Sequence, residues 1–229
     1  MYNLICFPHY TAGGLLADIL NNTWSDVTST GGINSIHHNI GKIGNVDSDT
    51  IFTNFTQKEF DSILNNTNGI AEGIWIGTHC WPGHINLDKF NRVVNITTIT
   101  NRSKIYRWIR SYNLYFIPKN KKIIEWDTMS ELDKIDKFRE TAKNYLIPSD
   151  IVNKPNVINI EFCDIVEENP AFLNIINTLN KNSNLKKHFD RWKIINSFLY
   201  DSNLWNNYAV KRLNEAEFEC KSLKSYVYL

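Results

Sequence analysis

Four short runs of branched apolar residues constrain this chain more than any other feature. YNLICF (Tyr2 to Phe7), GIWIGTH (Gly73 to His79), RVVNITTIT (Arg92 to Thr100) and NVINIEF (Asn156 to Phe162) have the length and composition of strands. Between them, apolar residues recur at helical spacing. Leu15, Leu16, Ile19 and Leu20 form one such set, Ile105, Ile109, Tyr112 and Phe116 a second, and Leu132, Ile135, Phe138 and Tyr145 a third. Strands alternating with helices predict an α/β fold, a mostly parallel sheet flanked by helices on both faces.

Helix boundaries are legible in several places. Ser130 with Asp133 approximates a capping box, and Asn169 followed by Pro170 supplies an N-cap and a first-turn proline for a helix through Leu179. Two further helices are expected over Leu185 to Tyr200 and about Leu204 to Phe218. Trp24 to Gly44 is polar and glycine-bearing, which predicts a loop or lid ahead of a strand at Thr50 to Asn54 and a helix near Gln57 to Leu64. Lys119 to Glu125 reads as a surface connection. With 229 residues, no repeat and no linker, the chain is expected to be one domain, residues 1–229.

A hydrophobic share of 42% with 21% charged residues excludes disordered and fibrous classes. A formal net charge of +1 argues against broad adhesion to nucleic acid or to an anionic membrane, and leaves a local basic patch for one small anion. Cys6, Cys80, Cys163 and Cys220 form no CxxC pair, so neither a zinc site nor a disulfide framework is indicated, and a reducing cytoplasm is the expected compartment. MYNLICF lacks a basic leader region, and no apolar run reaches the ~18 residues that span a bilayer. The scattered Asn-x-Ser/Thr sequons are what an Asn-rich composition produces by chance.

Three places carry candidate chemistry. In CFPHYTAGGLLADIL, Cys6 to Leu20, a strand enters a glycine-bearing turn that opens a helix. Unpaired N–H groups and the positive end of the helix dipole make such a turn an anion cradle. Thr11 offers a hydroxyl, Gly13 and Gly14 admit close approach, and His9 is the only cation in the turn. The loop lacks the lysine and following Ser/Thr of GxxxxGK[ST], and a tight connection with glycines chosen for packing is the competing reading. In the second place, steps of about 100° per residue put Ser103, Arg107, Arg110 and Ser111 on the helix side opposite the apolar stripe. Arg102 stands at the helix start, just past a strand end. A solvated charged face is the alternative there. The third is His79 at the end of its strand, placed to accept a proton from a substrate hydroxyl, or else a structural histidine. His37 and His38 have no metal-ligand partner nearby and read as loop residues. Trp192, Phe198, Tyr200, Trp205 and Tyr208 read as helical core or as an acceptor pocket.

In order along the chain, these elements resemble the PAPS-dependent sulfotransferases. PHYTAGG, Pro8 to Gly14, is similar to that family's PKSGTTW loop. Thr78, His79 and Pro82 are similar to KTHLP with one extra residue. NRSKIYRWIRS, Asn101 to Ser111, is similar to RNxxDxxxS, and the VINIEFCDIVEENPAF segment is similar to the family's strand-EDL-helix segment. The resemblance implies a P-loop-like α/β domain whose first loop binds the 5′-phosphosulfate of PAPS. His79 would be the base, with His9 aligned to the loop lysine. Thr11, Ala12, Gly13 and Gly14 would line the sulfonate cradle. Arg102 and Ser111 would hold the 3′-phosphate, with Ser103 or Arg110 as substitutes, because the first pair is one residue further apart than in the family.

The implied reaction is sulfuryl transfer from PAPS to a hydroxyl or amine of a small-molecule or carbohydrate acceptor, with no metal required. The loop departs from the family at its lysine and at its paired hydroxyls, where Ala12 and Gly13 stand instead. A catalytically impaired nucleotide-binding or interaction domain on the same fold is therefore the alternative. A small-molecule kinase is disfavoured by the missing Walker residues. Neither the acceptor nor the oligomeric state is legible.

Overall fold

The computed structural model describes residues 3–22, 73, 75–78, 82–121, 125–142, 151–182 and 184–201. Within them a four-stranded sheet is formed by β1 (Asn3–Cys6), β2 (Trp75–Thr78), β3 (Val93–Thr97) and β4 (Val157–Glu161), in the order β2-β1-β3-β4. All three pairings are parallel: Ile5 sits opposite Gly77 on one side and Val94 on the other, and Thr97 sits opposite Glu161. Every residue of β1, β2 and β3 is buried. Successive side chains of a strand point to opposite faces, so both faces of the sheet are covered there. β4 is an end strand of the described sheet, and of its residues Ile160 alone is buried.

Helix α1 (Gly13–Asn21) follows β1 and packs on β1 and β2. Helix α2 (Asn101–Ser111) begins two residues before Ser103, where the sequence predicts a helix over Ser103 to Phe116, because the Thr100 hydroxyl accepts from the Ser103 N–H at 3.2 Å and caps it. Tyr112–Phe116 then widens into a π-type turn before α3 (Ile117–Asn120). Pro118 explains the widening: it donates no N–H, and its ring excludes the carbonyl of the preceding turn from ordinary α geometry. Helix α4 (Glu131–Ala142) starts at the capping box read from the sequence, with the Asp133 N–H donating to Ser130 Oγ at 3.2 Å. It buries Ile135 and Phe138, and the Phe138 ring lies 5.1 Å from Phe116 and 5.7 Å from Trp108.

After β4 come α5 (Phe162–Val166), α6 (Pro170–Leu179), α7 (Leu185–Ile195) and a 3-10 turn, Ser197–Tyr200. The Asn169 side chain accepts from the Ala171 N–H at 2.9 Å, as an N-cap should. The helix expected over Leu185 to Tyr200 is divided at Asn196. The expected strand at Thr50 to Asn54, the helices near Gln57 and Leu204, the Trp24 to Gly44 loop, and His37 and His38 lie outside the described residues. Cys6 and Cys163 are buried and in no disulfide; Cys80 and Cys220 lie outside the described residues. Among the described residues no helix is long and apolar enough to cross a membrane.

Candidate anion-binding site

The chain passes from β1 to β2 on one side and then crosses to β3 on the other, so β1 and β3 flank the point where the strand order reverses. In open parallel sheets this crevice, at the carboxyl ends of the strands, is where ligands bind. Two segments leave the sheet at its carboxyl end there, the loop of residues 7–12 after β1 and the turn of residues 98–100 after β3.

The loop leaves the sheet at Phe7, whose N–H still donates to Thr78 O at 3.0 Å. The Phe7 ring then folds over Gly13 and Gly77: a Cβ added at Gly13 would fall inside that ring. Gly13 is thus a packing glycine. A Cβ added at Gly14 meets nothing among the described residues, which leave the helix start open on that side. Thr11 Oγ1 donates to Pro8 O at 2.7 Å, and Thr11 is buried. Its single hydroxyl proton is therefore used inside the loop, leaving the oxygen only as an acceptor. Ala12 is buried and stands at the N-cap of α1 with no side-chain bond, so among the described residues no side chain at that position caps the first N–H groups of the helix. Tyr10 holds φ +62°, a left-handed conformation that is uncommon for a bulky residue and marks a constrained turn.

Two arginines hold this turn from the side of α2. Arg107, 1% exposed, donates from Nε to His9 O at 2.8 Å. Arg110 donates from Nη1 to Thr11 O at 2.7 Å and from Nε to Asn196 Oδ1 at 2.8 Å, and its guanidinium lies 4.5 Å over the Trp192 ring. The helix side read from the sequence as a solvated face or a ligand face is mostly enclosed. Ser103 and Ser111 are fully buried as well. The reason is that α2 packs against α5 and the Ser197–Tyr200 turn. Ser111 Oγ donates back to Trp108 O at 2.9 Å, and Ser103 Oγ accepts from the Cys163 N–H at 2.9 Å. Neither hydroxyl faces the loop's open side.

The second turn holds a carboxylate that the sequence reading did not assign. Glu161, at the end of β4, accepts from Thr97 Oγ1 at 2.8 Å, the Ile99 N–H at 3.1 Å and Thr100 Oγ1 at 3.1 Å. Burial pushes its carboxyl up, but hydrogen bonds from Ser103, Thr97, Ile99 and Thr100 together outweigh that and hold it below the usual glutamate range. An internal anion thus occupies the start of α2. Arg102, with a side chain 64% exposed, is ion-paired with Glu167. This pair stands on the rim of a cavity of about 530 Å³ lined by Tyr106, Val166, Glu168, Lys193 and Tyr200.

The structure therefore gathers His9, Thr11, Ala12, Gly13, Gly14 and Arg110 around one loop. It sets Arg102 apart on the cavity rim, and it buries Ser103 and Ser111 in the packing of α2. Thr78, which precedes His79, ends β2 beside Cys6; His79 itself lies outside the described residues. Asn196, 86 residues beyond Arg110, carried no sequence signal, and Trp192 was read as helical core or acceptor pocket rather than as a partner of this loop. No protein-family model, curated protein or solved structure matches the chain.

Proposed function

We propose that the chain binds the phosphosulfate end of PAPS on the β1–α1 loop and transfers its sulfuryl group to a hydroxyl or amine acceptor, on a P-loop-like sulfotransferase architecture. The supporting observation is that a helix start with no N-cap side-chain bond, and with no described residue against a Cβ at Gly14, lies at the strand-order reversal between β1 and β3. A terminal sulfonate accepts hydrogen bonds from backbone amides there, and the resemblance of the loop and of the Thr78 and His79 segment to the sulfotransferases supplies the reaction. Exposed Arg102 reaches the 3′-phosphate by exchanging Glu167 for it. His79 takes the acceptor proton as the acceptor oxygen or nitrogen attacks sulfur, and adenosine 3′,5′-bisphosphate leaves with the bridging oxygen.

Isothermal calorimetry with adenosine 3′,5′-bisphosphate tests the reading. Binding is expected, and His79→Ala should leave it intact while slowing transfer by roughly 10²–10⁴. Absence of bisphosphate binding by the wild-type chain would remove the proposal. A second reading, a nucleotide-binding domain without transfer, is favoured by the inward commitment of the Thr11 and Ser111 hydroxyls. Bisphosphate binding with no transfer to any of a panel of alcohols, amines and sugars would select it.

A further inference from the structure

The loop has no lysine, and Arg110 has no counter-ion among the described residues. Its guanidinium meets the Thr11 carbonyl, the Asn196 carboxamide and the Trp192 ring, all neutral, and no carboxylate among the described residues pairs with it. Burial pulls its pKa down from the usual range, with only Tyr10 acting in the other direction. A partly buried cation held by neutral groups alone is costly unless an anion completes it.

The two carbonyls it and Arg107 engage belong to alternate peptides of the same turn, His9–Tyr10 and Thr11–Ala12. No peptide among the described residues is cis. In a trans peptide the C=O and the N–H point in opposite directions, so drawing both oxygens toward α2 turns the Tyr10 and Ala12 N–H groups away from it. As in an anion-binding nest, these two N–H groups are presented to one face around a left-handed residue, although they are not consecutive: the Thr11 N–H between them donates to Pro8 O at 3.3 Å.

We infer that Arg110, assisted by Arg107, is the positioning cation of this loop, standing behind the backbone where a loop lysine would stand in front of it. The guanidinium orients and polarises the peptides, and the tetrahedral anion bound on their far side is its counter-ion. The ligand class is a sulfonate or phosphate terminus. This rests on the proposed nucleotide function, and it names residues to which the resemblance gives no such role: Arg107 has none, and Arg110 appears only as an alternative 3′-phosphate ligand.

The test is calorimetric titration of the full chain with adenosine 3′,5′-bisphosphate and separately with inorganic sulfate, for wild type, Arg110→Met and Arg110→Lys. Met keeps the stem on Trp192 and removes the charge; Lys keeps the charge. Bisphosphate affinity should fall roughly 10- to 100-fold in the Met variant, the range for losing an interaction with a charged group, and recover in part with Lys. A purely structural role would give no rescue by charge. Wild type that binds neither probe overturns both the nucleotide function and this inference. Wild type that binds while Arg110→Met binds equally well overturns this inference alone. Should Arg110→Met not fold, ¹⁵N-resolved spectra of wild type decide: bisphosphate should move the Tyr10 and Ala12 amide protons downfield, and unmoved signals overturn the assignment.

Discussion

Gly13 and Gly14 are neighbours in sequence and opposites in environment. Gly13 lies under the Phe7 ring, so Gly13→Ala should destabilise the fold by about 1–3 kcal/mol through overpacking, seen as a lower midpoint in thermal unfolding. Gly14→Ala meets open space and should leave that midpoint unchanged or slightly raised, while the new methyl group weakens bisphosphate binding in the same calorimetric assay. If both variants unfold alike, the division of roles between the two glycines is wrong. Glu161 gives a second residue-level expectation. Its carboxyl is held below the usual glutamate value, so its contribution is fully present above about pH 4.3 and is lost as pH falls through the lower folded-state value. Glu161→Gln should cost on the order of 1–3 kcal/mol near neutral pH and flatten the acid limb of the stability curve, which urea denaturation across pH would register.

At the scale of elements, the helices are defined by their ends. Asn169, Ser130, Thr100 and Asn184 each accept a backbone N–H of the first turn they precede. Asn169→Ala should cost about 1 kcal/mol, a loss confined to one cap. Thr100→Ala should cost more, because the same hydroxyl donates to Glu161, and chemical denaturation of the two variants side by side checks the ordering. The caps at Ser130 and Asn169 were legible because a cap is a contact over two or three residues. The cap at Thr100 was hidden inside a β-branched run whose last residues read as strand. The π-type turn at Tyr112–Phe116 was hidden too: the apolar spacing runs unbroken from Ile105 through Tyr112 to Phe116, and periodicity alone does not report a widened turn.

For the whole molecule, the anion loop is the junction of three distant segments: residues 8–14, the arginines of α2, and Asn196 with Trp192 beyond β4. A ligand bound there should therefore stabilise the fold as a unit. Adenosine 3′,5′-bisphosphate at about 100 times its dissociation constant should add ~2.7 kcal/mol and raise the thermal midpoint by roughly 5–10 °C. Adenosine 5′-phosphate, without the second phosphate, should raise it less. Equal shifts for the two nucleotides would count against capture of both ends.

The sequence by itself determined the local structure: four strands, the helices between them, two of the caps, and a glycine-bearing turn suited to an anion. Those follow from side-chain periodicity, from hydroxyl and carboxamide groups beside free N–H groups, and from backbone freedom, all of which act over a few residues. Only the tertiary structure decided that β1 lies between β2 and β3, that Glu161 fills the start of α2, and that Arg107 and Arg110 turn inward to the carbonyls of His9 and Thr11, 98 and 99 residues away. A guanidinium on a helix reads the same in sequence whether water or a buried carbonyl receives it. The choice is made by which surface the folded chain lays against it.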